Sequence, residues 1–600
     1  MPAPVLALLT IAAAFVAARW PGRVGFTVLV ASIVLVPATL TLPNGLSAYL
    51  TVHRVVLVGL LIGLLVRQRS RMWRPTPTSL AFVVYLVLLL IAGVLLASPA
   101  VGLGDEMTRY VDFVEQAVVL IVCTAVVRND RDAAWFVLPL TGVLLVSAGI
   151  GVVEHFTHDS WSHWLFSRLP SQQGSPAAGP LAIREGQVRV RGGNDYPLGY
   201  AWVLAALLPF LVVASMRLRR SRVLLLGGGG ALVVAAIYWS YSRSALFGIF
   251  VALIVTGLAA RDRRVGVVVC AAVALGVAAF VFAPELSHHF STAVDQGSID
   301  VREQRLPIVL EAIAHRPWTG LGLGGLLLLG LPATDATYLL IYGEAGVAGL
   351  AGLVGLLGVA VFGVARGVAA RPRDLRRAAA AALGAAMAIV AAGLAFDAMA
   401  LVGTADILWI AVGIGVAIGE RATRPASMRV VPDLFAPVVA LAALGGVVLV
   451  MLAPSHYAQQ LKFSTLPVAR ESATYDPVIT GDQLVATACA AVDARTAQLP
   501  GVTTNCRNVF TAPGVGALRV QAASPQKVRD AEAALVNAVK TAGVSHIAML
   551  PGSAIERGRP TAYLTAPLWL TVVIVMLLFA LSDWLLSALA PRVRARRRLA

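Results

Sequence analysis

Apolar runs recur along almost the whole chain, near residues 3–18, 23–41, 53–66, 79–98, 111–127, 134–153, 197–215, 222–239, 244–260, 265–283, 337–365, 379–396, 405–419, 434–453 and 566–588. A helix needs about 20 residues to cross a hydrocarbon layer of about 30 Å, and these runs meet or approach that length. They predict an all-α polytopic membrane protein with about 13–15 transmembrane helices. Polar sequence collects in three longer segments, about 154–196, 284–336 and 454–564. The third reads as a separate small α/β domain. It has a helix over 481–496, short strands at 506–510 and 517–521, an amphipathic helix opening at Ser524-Pro525 and stopping near Gly543, and a strand over 546–550. Ser524 suits an N-cap, and Pro525 suits a first turn where no amide donor is missed.

Residues 1–180 therefore hold the N-terminal spans and the first long polar segment, and 181–365 form a central unit. Residues 366–453 carry further spans, 454–564 the small domain, and 565–600 a final span with a basic tail.

Composition supports the same class, and charge orients it. Hydrophobic residues make up 58% of the 600 and charged residues only 13%, with a mean hydropathy of +0.80. Soluble domains carry about 25% charge. A net charge of +17 would suit nucleic acid, but the basic residues cluster between apolar runs, at 67–74, 217–222, 261–264, 366–377 and 592–598. Short basic loops mark the cytoplasmic side and meet anionic membrane lipids, so no nucleic-acid partner is expected. Placing them inside sends the three long polar segments outward. The expected location is the cytoplasmic (inner) membrane, multi-pass, with an extracytoplasmic active site. Cys489 and Cys506 then share an outer segment where a disulfide is plausible.

The candidate chemistry gathers in the outward segments. Arg243, in W-S-Y-S-R-S-A-L, sits where two apolar helices join almost without a loop. A guanidinium there is costly unless it faces a cavity or an anion, the plainer alternative being snorkelling to headgroups. Arg302 and Arg305 fall on one face of an expected helix running to about Ala314, and their forked donors suit paired phosphate oxygens. The alternative is a solvated face with Glu303 and Glu311 as partners. Pro317 to Gly322 ends that helix in a turn whose Gly320 and Gly322 allow close backbone approach. Asp335 lies at the mouth of the next span, with Tyr338 one turn on. It is either a general base for a sugar hydroxyl or a helix cap. Glu344, deeper in the span, must face protein or water and is expected to pair with an arginine such as Arg243. The histidines at 155, 158, 163, 288 and 289 match no metal-binding spacing, so no metal or cofactor is expected. Asp112, Glu115, Asp397 and Asp406 give only a weak hint of a proton path. No phosphate-binding loop motif is present.

At these residues the chain resembles the O-antigen ligase and O-antigen polymerase superfamily, polytopic glycosyltransferases with a GT-C-like membrane core. The resemblance covers roughly 180–365 and has four pieces. They are Arg191-Gly192-Gly193-Asn194-Asp195 with Pro197; Ser242-Arg243-Ser244-Ala245; Arg302 followed by Pro317 to Gly322; and Asp335 to Leu339 followed by Glu344-Ala345-Gly346 and Gly349-Leu350. It implies an inverting, metal-independent transfer from a polyprenyl-diphosphate-linked glycan donor to a glycan or lipid acceptor. In it Arg243 and Arg302 hold the leaving group and Asp335 activates the acceptor. Arg305, Arg191, Asn194, Tyr338, Glu344, Gly320 and Gly322 become candidate substrate contacts. One departure matters: the family generally carries histidine where this chain has Asp335, and asparagine at Ala336.

Two rival readings stay open. A transporter or flippase for the same lipid-linked glycan would place charged groups near mid-membrane. A non-catalytic scaffold for envelope assembly would accommodate the Asp335 departure. The 454–564 segment, held between two spans, has the layout of polysaccharide chain-length regulators, and an acceptor-glycan module or a docking site for envelope-assembly partners fits equally.

Overall fold

A computed structural model describes most of residues 3–423, the longest omitted segments there being 41–50, 162–180 and 283–309, and beyond 423 five strands with a few isolated helical positions. The described residues hold thirteen long helices, one for each of the first thirteen apolar runs. They are α1 (Ala3–Arg19), α2 (Arg23–Leu35), α3 (Val52–Arg67), α4 (Pro77–Leu89), α5 (Leu103–Asn129), α6 (Val137–Thr157), α7 (Pro197–Arg217), α8 (Gly230–Trp239), α9 (Arg243–Ala260), α10 (Arg263–Phe282), α11 (Thr337–Val368), α12 (Arg373–Ala392) and α13 (Val402–Thr423). Eight of the helical stretches are long and apolar enough to cross a membrane, and α1, α2, α3 and α8 are shorter apolar helices. The runs near 434–453 and 566–588 lie outside the described residues. A π turn, Leu90–Leu95, extends α4, and another, Leu224–Gly229, leads into α8.

Helix α7 is the axis of the bundle. Pro197 fits its first turn, and every residue from Tyr200 to Met216 is buried. Tyr200 and Trp202 are fully enclosed, and the Tyr200 hydroxyl donates to the Ser147 carbonyl of α6 at 2.9 Å. In lipid the apolar environment gives helices no hydrophobic reason to associate, so close packing of small residues takes over. The α9/α12 contact shows this: Ala378 to Ala382 are fully buried, and a Cβ at Gly384 would stand 2.4 Å from the Ala252 carbonyl oxygen.

Alternating helix directions sort the connections to two ends of the bundle. At the end bearing the basic loops, arginines tie helix termini together. Arg23 grips Asp130 with two hydrogen bonds of 2.8 Å, Arg217 meets Asp132 at 3.1 Å, Arg128 meets Glu420 at 3.0 Å, and Arg377 pairs with Asp262 through its Nε at 3.0 Å. The Arg23 bond holds the Asp130 carboxyl below the usual carboxylate range. At Asp262 burial pushes the carboxyl up, and the Arg377 bond and charge together with the Arg264 and Val265 amides outweigh it, leaving a net depression.

Beyond the bundle, β3 (Ser455–Thr465) is the centre of an antiparallel five-stranded sheet. It pairs on one edge with β5 (Val515–Ala522), which carries β4 (Val502–Asn508) outside it. The other edge is shared by β6 (Ile547–Leu550) and β7 (Glu556–Pro560). Strands β4, β5 and β6 overlap the three expected strands. Strands β3 and β7 were not expected, because one follows an apolar run directly and the other, E-R-G-R-P, has no apolar alternation. Most of the two expected helices lies outside the described residues.

Candidate functional site

The end of the bundle opposite the basic loops is built from three interlocking turns. The first joins the segment before α7 to the α8/α9 corner. A short hairpin, β1 (Ala182–Arg184) and β2 (Gln187–Arg189), leads into Val190, whose amide donates to the Trp239 carbonyl at 3.2 Å. Arg189 Nε donates to the Ser240 carbonyl at 3.0 Å, and the Ser242 hydroxyl to the Pro197 carbonyl at 3.3 Å. Tyr241 is held at φ 54°, a left-handed conformation that costs a non-glycine residue about 1–3 kcal/mol and persists only where its surroundings enforce it. The next residues are Ser242 and Arg243, the latter half-buried as the first residue of α9. Two of the four motif pieces, separated by some fifty positions in sequence, thus share one corner.

Arg191 sits in this corner as an anchor. Its backbone amide and that of Gly192 both donate to Glu154 Oε2 of α6, at 2.9 and 2.8 Å, and its buried guanidinium reaches the Ser160 hydroxyl at 3.2 Å. Burial pulls this guanidinium below its ordinary value, against the opposing pull of Glu154 and Asp195. Trp161 Nε1 donates to the Gly192 carbonyl at 2.9 Å. Asn194 is buried beside Gly403 at the start of α13, with no hydrogen-bond partner for its Nδ2 among the described residues.

The second turn explains the glycines. Within α11, Gly346 adopts φ 64° and ψ −163°, a combination essentially restricted to glycine, and the helix kinks there. The break frees backbone groups, and the 317–324 turn takes them up. Leu321 and Gly322 amides donate to the Gly343 and Glu344 carbonyls, both at 2.9 Å, and the Val347 amide donates back to Pro317 at 2.8 Å. A Cβ on Gly346 would stand 2.3 Å from the Trp318 carbonyl carbon, and one on Gly320 (φ 67°) 2.6 Å from that of Glu344. The Gly324 amide donates to Glu344 Oε1 at 2.9 Å, and Leu323 reaches Gly93 in the π turn of α4 at 2.8 Å. Glu344 is wholly buried, and its cationic partner is Arg109 of α5 at 3.7 Å, not Arg243 as the sequence suggested. Arg109 lies early in α5, far from the motif pieces in sequence. Nothing in the pattern links it to Glu344 except the rule that a buried carboxylate in a span needs a cation.

The third turn fixes the mouth of α11. The Thr337 amide donates to the Gly393 carbonyl at 2.8 Å, its hydroxyl to Phe396 at 3.2 Å, and the Tyr338 hydroxyl to Val390 at 2.9 Å. Phe396 packs against Trp202, with ring centroids 5.8 Å apart, and Trp202 Nε1 donates to the Ser244 hydroxyl at 3.2 Å. A continuous relay, Ser244 to Trp202 to Phe396 to Thr337, therefore connects the residue after Arg243 with the residue two places beyond Asp335. Trp202 and Phe396 carry this junction, and sequence reading missed them because each looks like ordinary span material.

Of the expected site residues, Arg243, Arg191, Asn194, Gly320, Gly322, Tyr338 and Glu344 fall at this one end. Arg302, Arg305, Asp335 and Cys489 lie outside the described residues, as do the side-chain surroundings of Cys506. The Gly320 amide closes its own turn on the Arg316 carbonyl, the Gly322 amide packs the turn onto α11, and Tyr338 is committed to α12.

A bundle of long apolar helices with interlocked turns at one end defines a multi-pass membrane protein. Residues 228–354 match the family described as O-antigen ligase, a stretch running from the π turn before α8 through the Arg243 corner and past the α11 kink. That match, over this part of the chain, supports the O-antigen ligase and polymerase superfamily and a role in membrane glycan assembly. No curated protein matches the chain.

Proposed function

We propose that the protein is an inverting, metal-independent glycosyltransferase. It transfers or polymerises a cell-envelope polysaccharide from a polyprenyl-diphosphate-linked donor at the outer face of the cytoplasmic membrane. The observation that carries this reading is the coincidence of the O-antigen ligase domain with the turns that gather Arg243 and the mouth of α11 at one end of the bundle. Arg243 and Arg302 grip the diphosphate, whose paired oxygens match forked guanidinium donors. The acceptor hydroxyl oxygen bonds to the anomeric carbon as the carbon–oxygen bond to phosphate breaks. Its proton passes to the Asp335 carboxylate, and the polyprenyl diphosphate departs with the bonding pair. Charge stabilisation at the leaving group supplies most of the acceleration, and the base about a further 10²–10⁴-fold. Trp318, 69% exposed on the turn beside α11, offers an aromatic face to a sugar ring.

The gathering of candidate groups at one end, instead of at mid-membrane, favours transfer over transport. The test is lipid-linked oligosaccharide analysis in a deletion strain complemented with wild type or Asp335→Ala at matched protein level. Accumulated single repeat units in the deletion and variant strains identify a polymerase, accumulated long chains a ligase. Normal product with Asp335→Ala overturns the assignment.

A further inference from the structure

A second polar cluster lies inside the bundle, between α3, α5 and α13. His53 Nε2 stands 2.7 Å from Glu115 Oε1, and Glu115 Oε2 accepts from Arg54 Nε at 2.7 Å. Arg54 also pairs with Asp112, and the Thr51 hydroxyl lies 3.2 Å from His53 Nε2. Asp406 completes the set. One ligand atom from each of His53, Glu115 and Asp406 lies within 4.8 Å of the others, and all three residues are buried. Asp406 is 0% exposed, and neither carboxylate oxygen has a hydrogen-bond partner among the described residues.

Charge counting shows what is missing. Arg54 and Asp112 cancel. Glu115 and Asp406 bring two further carboxylates against a single imidazole, in an interior where an uncompensated charge is unsustainable. One nitrogen and two carboxylate oxygens make a donor set that borderline transition-metal dications accept. A dication held at about 2.0–2.2 Å sets its ligands roughly 3.4 Å apart. Reaching that spacing asks the 2.7 Å His53–Glu115 contact to open by about 0.7 Å and Asp406 to close in by at most about 1.4 Å. His53 Nε2 and the two carboxylates ligate in their unprotonated forms, with the imidazole N–H on Nδ1. Arg54 on the second oxygen of Glu115 then acts as the orienting group that ligating carboxylates usually have.

We propose that His53, Glu115 and Asp406 form a structural site for a divalent transition-metal ion that clamps α3, α5 and α13 together. The site takes no part in the transfer reaction. Helix α5 also presents Arg109 to Glu344 at the α11 kink, so the clamp steadies the framework beneath the glycine turn.

The full chain, purified in detergent without chelator, is equilibrated with Zn²⁺ or Mn²⁺, desalted and analysed by elemental mass spectrometry. Wild type is expected to retain about one equivalent of one of these ions and Asp406→Asn less than about a tenth. EDTA is expected to lower the unfolding midpoint of wild type and leave that of Asp406→Asn unchanged. Retention below about a tenth of an equivalent by wild type, equal retention by Asp406→Asn, or a wild-type midpoint that responds to pH but not to EDTA overturns the proposal in favour of a protonated carboxyl pair. If Asp406→Asn is not monodisperse by size exclusion, His53→Gln replaces it. Should that variant fail as well, wild-type metal content decides.

Discussion

The two ends of the bundle use arginine in opposite ways. At the basic end, Arg128 finds a carboxylate on α13, Arg23, Arg217 and Arg377 find theirs on the turns between helices, and Arg421 donates to carbonyls at the end of α5. These pairs join helix termini across the bundle. A groove of about 440 Å³ opens there between Arg23, Trp135 and Arg217, but both arginines are already engaged by acids. At the other end Arg54 and Arg109 also pair with carboxylates, but three further arginines serve turns. Arg189 holds a strained corner, Arg191 anchors it to α6, and Arg243 starts a helix at that corner. The contrast teaches that charge density alone does not locate a site. What separates the two ends is whether backbone geometry has been constrained around the charge.

Breaking that contrast should have its largest effect at Arg243. Replacing it with alanine is expected to lower glycan transfer by about 10²–10³-fold, as loss of a charge-stabilising donor does elsewhere. Arg217→Ala, at the basic end, should leave turnover within about twofold, since partly exposed pairs contribute under about 1 kcal/mol. Equal losses in the two variants would erase the distinction.

Next in size is the kink. Gly346→Ala forces a side chain into a glycine-only conformation against Trp318 and is expected to cost at least about 1–3 kcal/mol. A lowered unfolding midpoint in detergent reports it, whereas Gly355→Ala in the same helix, with open space around its Cβ position, should change little or stabilise slightly. Glu154→Gln comes after that. It keeps an acceptor for the Arg191 and Gly192 amides but removes the charge that strengthens both bonds, for an expected loss of about 1–2 kcal/mol. Slower transfer with unchanged expression would accompany it.

The smallest effect concerns acid. The Asp130 and Asp262 carboxyls are held below their unfolded values by Arg23 and Arg377. Their contribution to stability is complete above the ordinary carboxylate range and is lost as pH falls through the depressed values. Unfolding midpoints measured from neutral to strongly acidic pH should fall less steeply in an Arg23→Ala, Arg377→Ala double variant than in wild type. Identical slopes would show that these latches carry no such linkage.

Much of the fold was legible because lipid leaves a chain few choices. Long apolar runs became helices, and alternating direction with short basic loops sorted their ends. The four motif pieces also announced themselves by their polar residues at span boundaries. Three things were hidden. Arg109 as partner of Glu344 depends on packing between distant helices. The role of Gly320 and Gly322 as backbone partners of a kinked helix depends on Gly346, whose conformation no spacing reveals. The His53, Glu115 and Asp406 cluster draws one residue from each of three helices, so no local pattern contains it. Strand β3 was also missed, although it is the centre of its sheet, since the chain enters it directly after an apolar run.

The most direct test of the central claim is a reconstituted transfer assay. Purified full-length protein in nanodiscs is given a polyprenyl-diphosphate-linked oligosaccharide and a glycan acceptor, and the products are resolved by mass spectrometry. Wild type should extend or glycosylate the acceptor with release of polyprenyl diphosphate, and Arg243→Ala, folded to the same midpoint, should yield almost none. Comparable product from both proteins, or movement of intact donor across the bilayer without any glycosidic bond being formed, would contradict it.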